Sequence, residues 1–175
     1  QKPLEDRDYP EVQQAMDYVQ SRLVRLLNSP DPRHTPDYFH RQLGKILWDH
    51  CGMARNAVGL KQAIDEIQQL RQQFWQQIKI SGHAKQLNQT LERAGRVADF
   101  MELGELMCID ALSREESCGC HARVEYLTPQ GEVQRRDNDF GFVAAWQFSG
   151  DAMQPKLVKE PLHFDFVSPG IRNYQ

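Results

Sequence analysis

The chain has 175 residues, 40% hydrophobic and 26% charged, with a formal net charge of −3. That length can bury one substantial core, the composition is globular rather than disordered, and the negative charge gives no electrostatic footing for nucleic acid. No apolar run approaches the ~20 residues that cross a bilayer, no signal-peptide pattern precedes the first helix, and the 4 cysteines are too scattered for a secreted disulfide framework, so a soluble chain in a reducing compartment, with no direct membrane insertion, is expected.

Val12, Met16, Val19, Leu23 and Leu26 recur at helical steps, and Pro10 suits a first helical turn. Asn28-Ser29-Pro30-Asp31-Pro32 ends that helix, because each proline lacks a donor and forces its predecessor into extended geometry. Thr35-Pro36 then reads as a cap followed by proline at the first helical position, and Phe39, Leu43, Ile46, Leu47 and Met53 lie on one side of the next helix. His50 shares that side and reads as a hydrogen-bonded structural histidine rather than a ligand. Leu60, Ala63, Ile64, Ile67, Leu70, Phe74 and Ile78 form a third stripe, with Gln62, Gln68, Gln69, Gln72, Gln73, Gln76 and Gln77 on the remaining surface.

After Ser81-Gly82, a last long helix carries Leu87, Leu91, Ala94, Ala98, Met101, Cys108 and Leu112, with Phe100, Leu103 and Met107 widening its apolar face. It should be the most buried helix. Glu105 falls on its seam and needs a partner, because an unpaired carboxylate there would cost several kcal/mol or stay protonated. Arg55, Arg71 and Arg96 are the partners weighed for it. Beyond His121 the pattern changes to alternation: Ala122, Val124 and Tyr126 interleave with Arg123 and Glu125, Thr128-Pro129-Gln130-Gly131 reads as a turn, and Phe140–Phe148 can pair with Lys156–Lys159 through a reversal at Gly150-Asp151.

The fold expected is mainly α: an antiparallel three-helix, spectrin-repeat-like bundle preceded by an extra helix and followed by a short antiparallel β region. Its expected segments are 1–34 (helix and linker), 35–116 (bundle) and 117–175 (β region and irregular tail, packed on the bundle).

The densest chemistry lies between helix and strand patterns, at Arg114-Glu115-Glu116-Ser117-Cys118-Gly119-Cys120-His121-Ala122-Arg123. A zinc or copper site from Cys118, Cys120 and His121 lacks a second ligand segment except Cys108, Cys51 or His50, and the spacing is not that of covalent haem attachment. A Cys/His nucleophilic pair is disfavoured because neighbours on a strand point apart, and a Cys118–Cys120 disulfide is geometrically awkward. A hinge explains more: charge at a helix end, Gly119 for the reversal, and Arg123 within reach of carboxylates across the junction.

The spelling of that stretch, Arg114-x-Glu116-Ser117-x-Gly119-x-His121-x-Arg123, resembles the C-terminal signature of the flavoprotein subunit of succinate dehydrogenase and fumarate reductase, with L-aspartate oxidases as relatives. Leu43-Gly44-Lys45-Ile46-Leu47-Trp48, Cys51-Gly52-Met53-Ala54-Arg55, Leu103-Gly104-Glu105-Leu106-Met107, the Arg135-Arg136-Asp137…Phe140 run and the tail Arg172-Asn173-Tyr174 are similar to further family segments in the same order. Cys118 stands where the family more often has arginine, and Arg136 where it has an acidic residue. Cys118, Cys120 and Ala144-Ala145-Trp146 resemble the branch found in complexes with a single dihaem membrane subunit.

The resemblance implies an excised C-terminal domain of a chain that interconverts succinate and fumarate. FAD, the dinucleotide fold and the capping domain would lie in the parent protein, peripheral at the inner, cytoplasmic face of a membrane. No cofactor is expected in this chain, which has no Gly-x-Gly-x-x-Gly after a strand. Arg114, Glu116, Ser117, His121 and Arg123 are expected as structural or domain-contact residues, with no catalytic or metal-binding residue. Expected partners are the FAD-binding and capping domains and an iron–sulfur subunit; the alternative is a stand-alone helical interaction module.

Overall fold

The computed structural model describes residues 9–83, 86–149, 154–167 and 170. Among the described residues are five α-helices and one hairpin: α1 (Pro10–Leu27), α2 (Pro36–His50), α3 (Ala57–Gln77), α4 (Gln89–Ser113), the short α5 (Asp137–Phe140), β1 (Phe142–Gln147) and β2 (Lys156–Pro161). The protein is thus mainly α with a short antiparallel β region. No helix among the described residues is long and apolar enough to cross a membrane.

Helix ends follow local chemistry. Pro10 opens α1 where its missing N–H is not needed, and the side chain and backbone N–H of Asn28 both bond the Val24 carbonyl at its close. Two caps passed unnoticed in the sequence. Asn56 Oδ1 accepts the Gly59 N–H at 2.7 Å to start α3, and Asn88 Oδ1 accepts the Leu91 N–H at 3.0 Å to start α4. The α4 start therefore leaves Leu87 outside the helix, 96% exposed. Likewise α2 stops at His50, so Met53 sits in the following bend, 91% exposed, rather than on the helix stripe.

The chain forms two compact units, residues 1–42 with 69–100, and residues 43–68 with 101–175. In the first, Leu26, Phe39, Leu70, Phe74, Ile78, Leu91, Ala94 and Val97 are buried, and the Phe39 and Phe74 rings meet edge to face at 5.2 Å. Residues 31–34 run beside the end of α3, where the Asp31 N–H bonds the Gln76 carbonyl at 2.9 Å and the Lys79 N–H bonds the His34 carbonyl at 2.7 Å. The α1 stripe is amphipathic as expected, but only Leu26 of it is buried; Val12, Met16 and Val19 stay exposed.

In the second unit the core gathers Leu43, Cys51, Leu60, Ala63, Ile67, Met101, Cys108 and Ala111. Glu105 is buried there, and its carboxylate accepts the Gln68 amide at 2.7 Å. Gln68, read from sequence as surface, is thus a core-facing donor. Arg55 and Arg96 are engaged elsewhere, with the Gly52 carbonyl and with Glu92. Leu103 and Met107 remain half exposed, so the buried face of α4 is narrower than its apolar residues suggest.

The β1–β2 hairpin pairs Phe142 with Pro161 and Gln147 with Lys156. Its reversal at Gly150-Asp151 lies outside the described residues. Trp146 Nε1 donates to Asp110 Oδ1 at 2.7 Å, fastening β1 to α4.

Phe74→Ala should lower the unfolding free energy by about 3–5 kcal/mol, the ordinary cost of emptying a buried aromatic site. Trp48→Ala, at an 83% exposed position, should change it by less than about 0.5 kcal/mol. Urea denaturation of both variants measures the contrast.

Candidate functional site

The stretch from Arg114 to Arg123 lies wholly in the second unit and begins where α4 ends. A helix end leaves its last carbonyls without intrahelical donors. Arg123 supplies them: its Nη1 bonds the carbonyls of Ala111 at 2.9 Å and Leu112 at 3.2 Å, and the residue is 2% exposed. A guanidinium suits that place, because it stays charged, presents several donors in one plane, and faces the negative end of the helix dipole.

Its Nε also pairs with Glu125 Oε2 at 3.2 Å, and its Cζ lies 5.3 Å from the centre of the Tyr126 ring. Glu125 in turn accepts the Ala57 N–H at 2.5 Å, so a carboxylate sits at the start of α3. Burial pushes the Glu125 carboxyl up, but the Ala57 N–H and Arg123 outweigh it and hold the group below its ordinary range.

Reaching this position requires a tight reversal. Gly119 has φ +57°, a conformation that side chains resist, and the backbone groups of Cys118 and His121 exchange hydrogen bonds of 2.9 and 3.0 Å across the turn. Ser117 then holds the returning strand. Its fully buried hydroxyl donates to the Arg123 carbonyl at 3.0 Å and accepts the Arg123 N–H at 2.9 Å.

Glu116, also buried, accepts Arg114 Nε at 2.8 Å on one oxygen and the Arg136 N–H at 2.8 Å on the other. Arg114 further bonds the Phe140 carbonyl at 2.7 Å, ahead of β1. Arg136 pairs with Asp139 at 2.6 Å.

His121 is held on both nitrogens. Nδ1 faces Arg55 Nη1 at 3.3 Å and Nε2 faces the Arg114 carbonyl at 3.0 Å. Arginine can only donate and a carbonyl can only accept, so the neutral ring must carry its proton on Nε2. Burial lowers the His121 pKa below its ordinary value; the bond to the Arg114 carbonyl opposes this, and the charges of Arg55, Arg123 and Arg114 reinforce it.

The alternation read from sequence as a strand is replaced at Val124–Tyr126 by a turn of 3-10 helix. Its sides are inverted as well: the charged Arg123 is buried and Val124 is 47% exposed. Binding two helix ends outweighs the apolar preference, because buried carbonyls at a helix end must be satisfied. The Arg55 N–H bonds the Ala122 carbonyl and the Val124 N–H bonds the Arg55 carbonyl, both at 2.9 Å, so the bend after α2 joins the same network.

The Ser117 hydroxyl is engaged by Arg123 on both its donor and acceptor sides, and the two imidazole nitrogens of His121 face Arg55 and Arg114. Among the described residues no three His, Cys, Asp or Glu side chains lie together as a metal site. The described strands form one antiparallel pair, whereas a dinucleotide cradle is built from a parallel strand, a glycine turn and a helix start.

Comparison with known proteins agrees in sequence and in fold. The model of the family described as fumarate reductase flavoprotein C-term matches residues 40–174. The chain is 22% identical over 133 residues to the fumarate reductase flavoprotein subunit of Haemophilus influenzae, covering 76% of this chain and 21% of that protein. It is 28% identical over 111 residues to the L-aspartate oxidase of Synechocystis, covering 56% of this chain and 20% of that protein. Among solved structures it superposes on a quinol fumarate reductase FrdA variant of E. coli with a TM-score of 0.75 at 20% identity, covering 95% of this chain and 27% of that one. A quinol-fumarate reductase with menaquinol molecules gives 0.75 at 21% identity, covering 91% and 26%. The chain thus spans about a fifth of the length of the curated relatives it matches.

Arg123→Met should destabilise the chain by on the order of 3 kcal/mol, because it strands the Ala111 and Leu112 carbonyls; Arg123→Lys should recover only part of the loss. Because the folded pKa of His121 is lowered, its contribution to stability should be fully present above an unfolded value of about 6.5 and decline as pH falls through it. Thermal melts from about pH 7.5 down to about pH 5 should therefore fall more steeply for the parent chain than for His121→Gln.

Proposed function

Since the chain belongs to the fumarate reductase flavoprotein C-terminal family, we propose that it serves as the helical C-terminal part of a longer flavoprotein subunit that interconverts succinate and fumarate. The observation that carries this reading is the junction at Arg114–Arg123, where the residues that spell the family signature are used as braces. The flavin and the substrate-binding groups then belong to the remainder of the parent chain. Hydride and proton exchange occur at that flavin, while this chain's own residues supply a rigid support.

The exposed apolar stripe of α1, at Val12, Met16 and Val19, supports a contact with the FAD-binding and capping domains, since such a stripe is costly to leave bare. The same assembly reading includes an iron–sulfur subunit and a position peripheral to the inner face of a membrane. Arg114, Glu116, Ser117, His121 and Arg123 act as structural and domain-contact residues in it.

The 175-residue chain should show neither tight FAD binding nor fumarate reduction with a reduced viologen dye, whereas the full reading frame should show both. Turnover by the 175-residue chain alone would remove the proposal. In the full-length protein, Met16→Asp with Val19→Asp should lower flavin content while leaving the melting of the 175-residue chain nearly unchanged. Equal flavin content in variant and parent would sink the α1 contact.

A further inference from the structure

Cys51 and Cys108 take no part in the brace around Arg123. All four cysteines are free thiols, and these two are buried, at 8% and 0% exposure. Their approach follows from helix geometry. A Cβ on Gly104 of α4 would stand 3.4 Å from a Leu43 methyl and 3.3 Å from a Leu47 methyl of α2, so the missing side chain lets α2 and α4 approach closely there.

Four residues further along each chain come Cys51, after Leu47, and Cys108, after Gly104. Positions i and i+4 share a helix face about 6 Å apart along the axis. The Cys51 N–H bonds the Leu47 carbonyl at 2.9 Å, which carries the helical path past His50 to the cysteine. That spacing sets the two thiols side by side, and each is the strongest influence on the other's ionisation.

We infer that Cys51 and Cys108 form an oxidation site, a dithiol that a hydroperoxide converts into an intrachain disulfide tying the end of α2 to α4. Cys51 is the attacking sulfur. The neighbouring Cys108 thiol lowers its pKa to about 7 against the opposing effect of burial, and the nearby Arg55 charge helps. Cys108 is pushed the other way by the Cys51 thiol beside it, by burial and by the charges of Cys51 and Glu105, so it keeps its proton.

The Cys51 thiolate attacks one oxygen of hydrogen peroxide, the O–O bond breaks, and a sulfenic acid and hydroxide result. Cys108 sulfur then attacks the Cys51 sulfur; the S–S bond forms, the S–O bond breaks, and the departing hydroxide leaves as water with the Cys108 proton. Two thiols and one peroxide give one disulfide and two waters. The order matches access, because Cys51 at the helix end retains some exposure and Cys108 has none.

The consequence reaches the junction. Cys51 lies four residues before Arg55, whose backbone bonds Ala122 and Val124 and whose side chain faces His121. A disulfide anchors that bend to α4 and stiffens the contact that Arg55 makes with the returning strand.

The test treats the folded 175-residue chain with hydrogen peroxide, alkylates it in denaturant, digests it with trypsin and analyses the peptides by mass before and after dithiothreitol. The expected product joins peptide Ile46–Arg55 to peptide Val97–Arg114, two hydrogens lighter than their sum and separated by dithiothreitol. Cys118 and Cys120 fall in a different peptide, Glu115–Arg123, so their oxidation is read separately. Recovery of the Cys51 and Cys108 peptides unjoined, whether both alkylated or with Cys51 over-oxidised, overturns the inference. In Cys51→Ser, Cys108 should remain alkylatable after the same treatment; oxidation of Cys108 at the parental rate overturns the assigned order. Cys118→Ser with Cys120→Ser should form the same cross-link as the parent, and losing it would transfer the site to the exposed turn.

Discussion

The contact on which the junction depends is the guanidinium of Arg123 against the end of α4. Helix ends must satisfy carbonyls that the helix itself cannot serve, and when the end is buried water cannot do it. A buried arginine is expensive by itself, yet here its donors meet two carbonyls and a carboxylate, and Glu125 carries the connection to the start of α3. One side chain thereby links the end of one long helix to the beginning of another.

The rest of the stretch exists to deliver that side chain. Gly119 makes the reversal possible, Ser117 fastens the backbone of Arg123 through both of its hydrogen-bonding roles, and His121 closes on the Arg114 carbonyl. Glu116 joins the Arg114 side chain to the Arg136 backbone, and Arg114 reaches the Phe140 carbonyl, two residues before the hairpin. Each residue type in Arg-x-Glu-Ser-x-Gly-x-His-x-Arg thus has a physical job: a charged fork, a two-oxygen acceptor, a compact hydroxyl, a positive φ, a two-ended ring and a second fork. Hydrogen-bond satisfaction at a helix terminus uses every one of those residue types.

A similar economy governs the interior of the second unit. Gly104 lets α2 approach α4, the next residue, Glu105, is buried with the Gln68 amide on its carboxylate, and Cys108 lies one turn beyond the glycine. Close backbone approach brings small and polar groups into contact that larger side chains would hold apart. The carboxylate and the dithiol are therefore products of the same packing choice. The polar character of the carboxylate is tolerated because the Gln68 amide hydrogen-bonds it.

Local chemistry alone was enough to reveal the helices, because proline at Pro10 and Pro36, the double-proline break after Asn28 and the recurring apolar steps act within a few residues of themselves. It also revealed the antiparallel pairing near Phe142–Gln147 and marked Arg114–Arg123 as a junction. The asparagine caps at Asn56 and Asn88 were present in the sequence as a signal and went unread. Tertiary structure alone decided the burial of Arg123 and exposure of Val124, the choice of Gln68 to face Glu105, the bare stripe on α1 and the meeting of Cys51 with Cys108. Periodicity ranks residues by their own hydrophobicity and cannot register a carbonyl, a carboxylate or a second thiol brought alongside by distant segments. Those contacts are settled by which polar groups the packed helices leave needing a partner, and only the folded chain makes that need visible.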